Sequence, residues 1–236
     1  MELQIYRPRQ PRTTVLYQLM ETHYEQVKAV WEDRFQQTYG FWRGLTDTAV
    51  ARYLDCGVPE GGFARLRCED CHEEVLLSFS CKSRSLCPSC GAKRAAAFAA
   101  FLKDEILEDV PHAQWVFTLP KMLRPYFLYH RELLGDLSRA AYETVRELMV
   151  AVADDKDLRP GMVAVIQTFS DSLKWNPHIH AICSRGGWTP AGEWIPIPYV
   201  DAHAAELLFR LKVFKLLQNH ELLSDERVAL LLSCLS

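Results

Sequence analysis

Two groups of residues in this sequence have the types and spacing to do chemistry. The first lies in Trp175-Asn176-Pro177-His178-Ile179-His180-Ala181-Ile182-Cys183, where a His-x-His triplet opens an apolar run. Ile179, Ala181 and Ile182 favour a buried strand, and Pro177 suits a strand's first residue, where no ladder donor is lost. Residues two apart on a strand point to the same side, so His178 and His180 share a face while Ile179 packs into the other. On a helix they would diverge by roughly 200° and could not grip one ion. Two neutral imidazoles on a rigid strand make a divalent-metal site if a third ligand converges. Without one they are half-buried histidines with ordinary hydrogen bonds.

The second group is Cys68-Glu69-Asp70-Cys71 and Cys87-Pro88-Ser89-Cys90, two CxxC knuckles fifteen residues apart. Zinc takes four soft ligands in a tetrahedron, and each knuckle supplies two thiolates from a tight turn. The spacing therefore predicts a zinc on Cys68, Cys71, Cys87 and Cys90. A tetrathiolate site has no open position, so this zinc should be structural. Few apolar residues surround it, and metal binding would supply the folding energy. Cys56, His72 and Cys81 are spare potential ligands. Cys81, among Leu76, Leu77, Phe79 and Leu86, fits a packed thiol better. Lys82, Arg84, Lys93 and Arg94 surround the second knuckle with no acid between them. They form either a phosphate-binding patch or a solvated face.

The elements that must position these groups follow from periodicity and turn chemistry. Residues 1–12 form a loose arm. Apolar residues from Thr14 to Tyr39 recur at helical spacing and predict one or two helices. Thr46, Asp47 and Thr48 offer caps for a short helix through Tyr53. A helix follows the second knuckle to about Val110-Pro111. Gln114–Leu119 is a strand stopped by Pro120. Pro125 can open a long amphipathic helix to about Ala153. Met162–Phe169 is a second strand, antiparallel to the histidine strand through a short connection. Gly186-Gly187 turns the chain. Trp194–Tyr199 is an edge strand or loop. Ala204–Gln218 is a helix, and another begins at Glu226.

The 236 residues are 49% apolar and 24% charged, an ordinary globular composition. The net charge of -3 gives no global pull toward nucleic acid, so DNA binding would rest on local patches. Glu2, Arg7, Arg9 and Arg12 interrupt any signal sequence, and no apolar stretch is long enough for a bilayer. A cytoplasmic protein without membrane partners is expected. In that compartment most of the eight cysteines suit metal binding better than disulfides.

Longer strings of residues carry a family resemblance. Ser80-Cys81-Lys82 and Cys87-Pro88-Ser89-Cys90 are followed by Trp115-Val116-Phe117-Thr118-Leu119-Pro120. Then come Gln167-Thr168-Phe169-Ser170 and Leu173-Lys174-Trp175-Asn176-Pro177-His178-Ile179-His180. From about Tyr17 to Leu232 the chain resembles the zinc-finger-bearing transposases of rolling-circle insertion sequences, the IS91 type, which belong to the HUH endonucleases. The resemblance implies an α+β chain in three parts. Residues 1–55 are an arm and helices, residues 56–110 a four-cysteine zinc domain with its following helix, and residues 111–236 an antiparallel-sheet HUH nuclease-like domain flanked by helices. It implies that His178 and His180 are catalytic, holding Mg²⁺ or Mn²⁺ with one further polar ligand. Gln167 and Asp171 are the candidates, and Gln167 stands where the family often has histidine. The implied partner is DNA, as single strands or hairpin element ends. The implied chemistry is attack by a tyrosine on a metal-polarised phosphate, leaving a 5′-phosphotyrosine link and a free 3′-hydroxyl.

The family's tyrosine pair is expected downstream of the histidines on one helix. Here only Tyr199 follows them, and Tyr126 and Tyr129 precede them. The ending Leu230–Ser236 looks like a helix cut short. The expectation is a C-terminally truncated transposase that binds DNA and metal without cleaving. Two alternatives are a non-catalytic zinc-ribbon adaptor for DNA or protein, and a metal hydrolase using water. The hydrolase lacks paired carboxylates near the histidines.

Overall fold

The computed structural model describes residues 10–82, 86–170 and 174–233. The chain divides into two compact units, one ending at Leu107 and one beginning at Glu108. Elements are mixed helix and antiparallel strand.

In the first unit, helix α1 (Val15–Ala29) starts at Thr14, whose hydroxyl accepts the Tyr17 backbone N–H at 3.3 Å. Two single-turn helices, Trp31–Arg34 and Gln36–Tyr39, continue it, and α2 (Gly44–Leu54) follows. Helix α2 starts two residues earlier than its expected caps, so Asp47 sits inside it. There the Asp47 carboxylate accepts from Lys28 Nζ (2.7 Å), the Tyr24 hydroxyl (2.8 Å) and Trp42 Nε1 (3.1 Å). These donors, Lys28 foremost, hold its pKa down at about 2 against an ordinary 3.8. A depressed carboxylate stabilises the fold above its unfolded pKa, and that contribution is lost only as pH falls through the folded value. Asp47→Asn is therefore expected to lower the thermal midpoint by a few degrees, equally from about pH 6 to pH 8. Melting curves across that range check it.

Strands β1 (Phe63–Arg67) and β2 (Glu74–Ser78) then form an antiparallel hairpin, with Ala64 opposite Leu77 and Leu66 opposite Val75. Helix α3 (Pro88–Phe101) begins right after Cys87, with proline at its first position, where a missing N–H costs nothing. A wider turn, Leu102–Ile106, ends it. The small core of this unit is Tyr17, Tyr53, Cys56, Cys87 and Cys90, with Leu16, Met20, Leu54, Cys81 and Leu86 against them. The buried residues of that cluster are all tyrosine or cysteine, and Val50 and Val58 are the other buried apolar residues described in the unit, too little apolar surface to hold a fold unaided.

The second unit is built on a three-stranded antiparallel sheet of order β3-β5-β4, comprising β3 (His112–Thr118), β4 (Met162–Phe169) and β5 (Trp175–Ser184). The histidine strand is central, as its apolar content requires. One sheet face carries Phe117, Ile179, Ala181 and Cys183 into the main core. Helices α4 (Arg124–Tyr129), α5 (Leu133–Ala153) and α6 (Ala202–Asn219) supply Phe127, Leu137, Val145, Phe209 and Val213 to that core. The Phe117 and Phe209 ring centroids are 4.9 Å apart. Burial pushes the Cys183 thiol up to about 12, which makes it a core residue without reactivity.

Two expectations are corrected. The helix predicted from Pro125 to Ala153 is two helices, because His130 leaves the helical region (φ −117°, ψ 73°). Gly186-Gly187 is not a turn but part of β6 (Gly186–Trp188), paired with β7 (Trp194–Pro196). A Cβ on Gly187 would lie 2.6 Å from Leu158 Cγ, so close strand packing explains that glycine. Helix α7 (Asp225–Ser233) completes the described chain.

Candidate metal centres

The first centre is not the one the knuckle spacing predicts. The Sγ atoms of Cys56, Cys81, Cys87 and Cys90 all lie within 4.8 Å of one another. Cys56 is 3.6 Å from Cys87 and 3.5 Å from Cys90, and Cys81 is 3.6 Å from Cys90. A tetrahedron with zinc–sulfur bonds of about 2.3 Å puts its sulfurs roughly 3.8 Å apart. The four thiols are thus already close to the spacing that a zinc ion needs. Burial first, and the neighbouring Cys56 and Cys90 thiols after it, raise the Cys87 pKa. A divalent cation reverses that cost by neutralising the thiolates. The Cys81 backbone N–H also points at Cys56 Sγ (3.3 Å), a bond typical of thiolate ligands.

Cys68 and Cys71 do not join this cluster; both are exposed. The reason is the hairpin. Cys56 and Cys81 sit at its base, where Gly57 N–H donates to the Phe79 carbonyl at 2.8 Å. Cys68 and Cys71 sit at its tip, five residues along each strand, on the order of 17 Å away at strand rise. The signal for Cys56 and Cys81 is their placement on either side of the hairpin, which spacing alone does not reveal. Of the basic residues near the second knuckle, Lys82, Lys93 and Arg94 are exposed. Arg84 lies outside the described residues.

The second centre is the histidine strand. His178 pairs across to Thr118 on β3 and Gln167 on β4, and His180 pairs to Val116 and Val165. These residues share one sheet face, opposite the core, and Val116, Thr118, Val165 and Gln167 on it are exposed or half-buried. His178 is 9% exposed and His180 half-buried, with ring centroids 5.0 Å apart. His178 Nδ1 lies 2.7 Å from the Asn176 carbonyl, which must accept its proton. The neutral ring therefore presents Nε2 as its free lone pair, as metal-ligating histidines do. Asn176 precedes His178 by two residues on the strand, and its Oδ1 is buried without a hydrogen-bond partner among the described residues. A buried orphan oxygen beside an imidazole is a donor set that Mg²⁺ or Mn²⁺ can use. Among the described residues no third His, Cys, Asp or Glu converges on the pair. Asp171, the other expected candidate, lies outside the described residues.

Tyr199 is 73% exposed and borders the cavity formed with Ala113, Ser184 and Arg185. That is the opposite end of β5 from His178, six residues and about 20 Å along the strand. Tyr126 packs against the core and Tyr129 is exposed on the same short helix.

Comparison with known proteins adds to this geometry. Residues 26–119 match the family described as "Transposase zinc-binding domain", and residues 161–229 match that described as "Putative transposase". The chain is 32% identical over 157 residues to the transposase for insertion sequence element IS801 of Pseudomonas savastanoi pv. phaseolicola, covering 66% of this chain and 37% of that protein. It is 32% identical over 150 residues to "Putative transposase y4qJ" of Sinorhizobium fredii, covering 61% of this chain and 36% of that protein. The chain thus spans just over a third of the length of these relatives. No helix among the described residues is long and apolar enough to cross a membrane.

Proposed function

We propose that this chain, a member of the IS91-type transposases with an N-terminal zinc-binding domain, works in DNA transposition by holding DNA on its zinc-binding unit and a divalent ion on its histidine strand. The observation that carries the reading is the pinned imidazole of His178, which offers Nε2 on the same open sheet face as His180. Zinc on Cys56, Cys81, Cys87 and Cys90 fixes the first unit, leaving Lys82, Lys93 and Arg94 to meet phosphates. His178 and His180 would hold Mg²⁺ or Mn²⁺, with Gln167 or Asn176 as a hard oxygen donor. That ion would draw charge from a phosphoryl oxygen of a single strand or a hairpin end.

The protein's own part is orientation. The central strand fixes the two rings, and the Asn176 carbonyl fixes the His178 tautomer. Strand cleavage also needs a tyrosine oxygen in line with the scissile bond, and Tyr199 stands at the wrong end of β5 to supply it. The described chain is expected to bind without forming an adduct.

A single-stranded element end carrying a hairpin, incubated with the chain and Mn²⁺, tests this. Expected is a retarded complex that Mn²⁺ strengthens, that the double substitution His178→Ala/His180→Ala weakens, and that carries no detergent-resistant adduct. Binding indifferent to both metal and the substitutions would contradict the reading. A second prediction concerns Gln167, which opposes His178. Gln167→Glu adds a charged oxygen for a hard ion and is expected to tighten Mn²⁺ about tenfold, roughly 1.4 kcal/mol, by calorimetric titration.

A further inference from the structure

Helix α3 leaves the core of the zinc-binding unit almost as soon as it starts. Cys87 is its N-cap residue and Cys90 lies in its first turn, and both belong to the four-sulfur cluster. Beyond them every residue from Ala92 to Phe101 is exposed. Zinc on Cys87 and Cys90 would fix the first turn and so remove the nucleation cost that leaves a helix of 14 residues marginal by itself. Six alanines among the ten exposed residues then favour its propagation without tertiary support.

This bare helix has two unlike stripes. Ser89, Ala92, Ala96 and Ala100, spaced three or four apart, make one that holds small side chains only. Arg94, Phe98 and Phe101 make the other, with Phe98 46% and Phe101 51% exposed. The charge along this part of the chain has one sign. From Val75 to Lys103 there are five cations and no acid. Of these, Lys82, Lys93 and Arg94 are exposed and join no ion pair among the described residues.

A helix with ordinary side chains is roughly 10–12 Å across, and the major groove of duplex DNA is about 12 Å wide. A stripe of serine and alanine thins the helix and lets its backbone approach the base edges, where alanine methyls can meet thymine methyls. Cations beside such a stripe fall at the phosphates that border the groove, where an acid would be repelled. A single strand offers no groove of this kind. A protein helix packed on the phenylalanine stripe would leave the acid-free charge unanswered.

We propose that α3 lies in the major groove of double-stranded DNA, with Ser89, Ala92, Ala96 and Ala100 against the bases and Lys82, Lys93 and Arg94 at the bordering phosphates. The inference rests on the reading above that the zinc-binding unit holds DNA, and it assigns that unit the duplex.

Duplexes selected by the zinc-loaded chain from a randomised pool, then titrated by fluorescence anisotropy beside their separated strands without Mn²⁺, test it. The duplex is expected to bind at least ~10-fold tighter than either strand. Ala96→Leu adds bulk without charge on the groove stripe and is expected to weaken duplex binding at least ~10-fold. Its zinc content and circular dichroism should be unchanged, because leucine is a good helix former and the position is exposed. Phe98→Ala, on the other stripe, should leave duplex affinity as it was. Lys93→Ala/Arg94→Ala should lower the slope of log affinity against log salt by about two. Equal affinity for duplex and separated strands would overturn the proposal, and so would an Ala96→Leu chain that binds the duplex undiminished. Single strands retained more tightly with Mn²⁺, and no duplex bound, would overturn it while leaving the histidine-strand reading in place. A chain that binds neither form would contradict both.

Discussion

Cys56→Ser and Cys81→Ser are each expected to strip the zinc from the first unit and unfold it. Four sulfurs, with neighbours 3.5–3.6 Å apart, are set for one tetrahedral ion, and a hydroxyl cannot replace a thiolate in that role. The unit has little else to hold it, since its described buried residues are Tyr17, Val50, Tyr53, Val58 and three of these cysteines. Structural zinc in small domains contributes on the order of 10–16 kcal/mol of apparent binding free energy, more than such a core supplies alone. A chelator should therefore reproduce the substitutions. Far-ultraviolet circular dichroism, with zinc release followed by a metallochromic dye, checks both. The same measurement on Cys68→Ser should show the unit folded and its ion retained. The knuckle spacing in the sequence predicts the reverse, with Cys56 and Cys81 dispensable.

The second large effect is expected at the histidine strand. His180→Ala should weaken Mn²⁺ binding at least ~100-fold while leaving the second unit folded, because His180 is half-buried and lies off the core face. His178→Ala should weaken metal binding as much and also cost about 1–3 kcal/mol of stability, because it leaves the Asn176 carbonyl without its 2.7 Å partner. The two substitutions therefore share a metal phenotype and differ in denaturant midpoint. Equal midpoints would show that the His178 hydrogen bond does not orient the ring.

The parts of this chain that can be read from the sequence are those set by local periodicity. The two-residue repeat around Ile179 and Ala181 places both histidines on one face of a central strand, and β5 is that strand. The edges of β4 and the span of α6 follow from the same kind of pattern. What cannot be read depends on where chain segments meet. Cys87 and Cys90 are identifiable as ligands from their own turn, but their partners depend on the length of a hairpin that carries Cys68 and Cys71 away from its base. Nothing in Tyr129-His130-Arg131 forbids a continuous helix from Pro125, yet the backbone breaks at His130 so that both Phe127 and Leu133 are buried. Asn176 gives no signal at all, since an asparagine before proline is ordinary turn chemistry until its oxygen is found buried without a partner among the described residues.

Pulsed electron paramagnetic resonance of Mn²⁺ bound to the zinc-loaded chain with single-stranded DNA tests the account most directly. Couplings to imidazole nitrogen in the unsubstituted chain, absent from His178→Ala/His180→Ala at equal zinc content, are the predicted result. Mn²⁺ bound with no nitrogen coupling, or bound unchanged in the double variant, would contradict it.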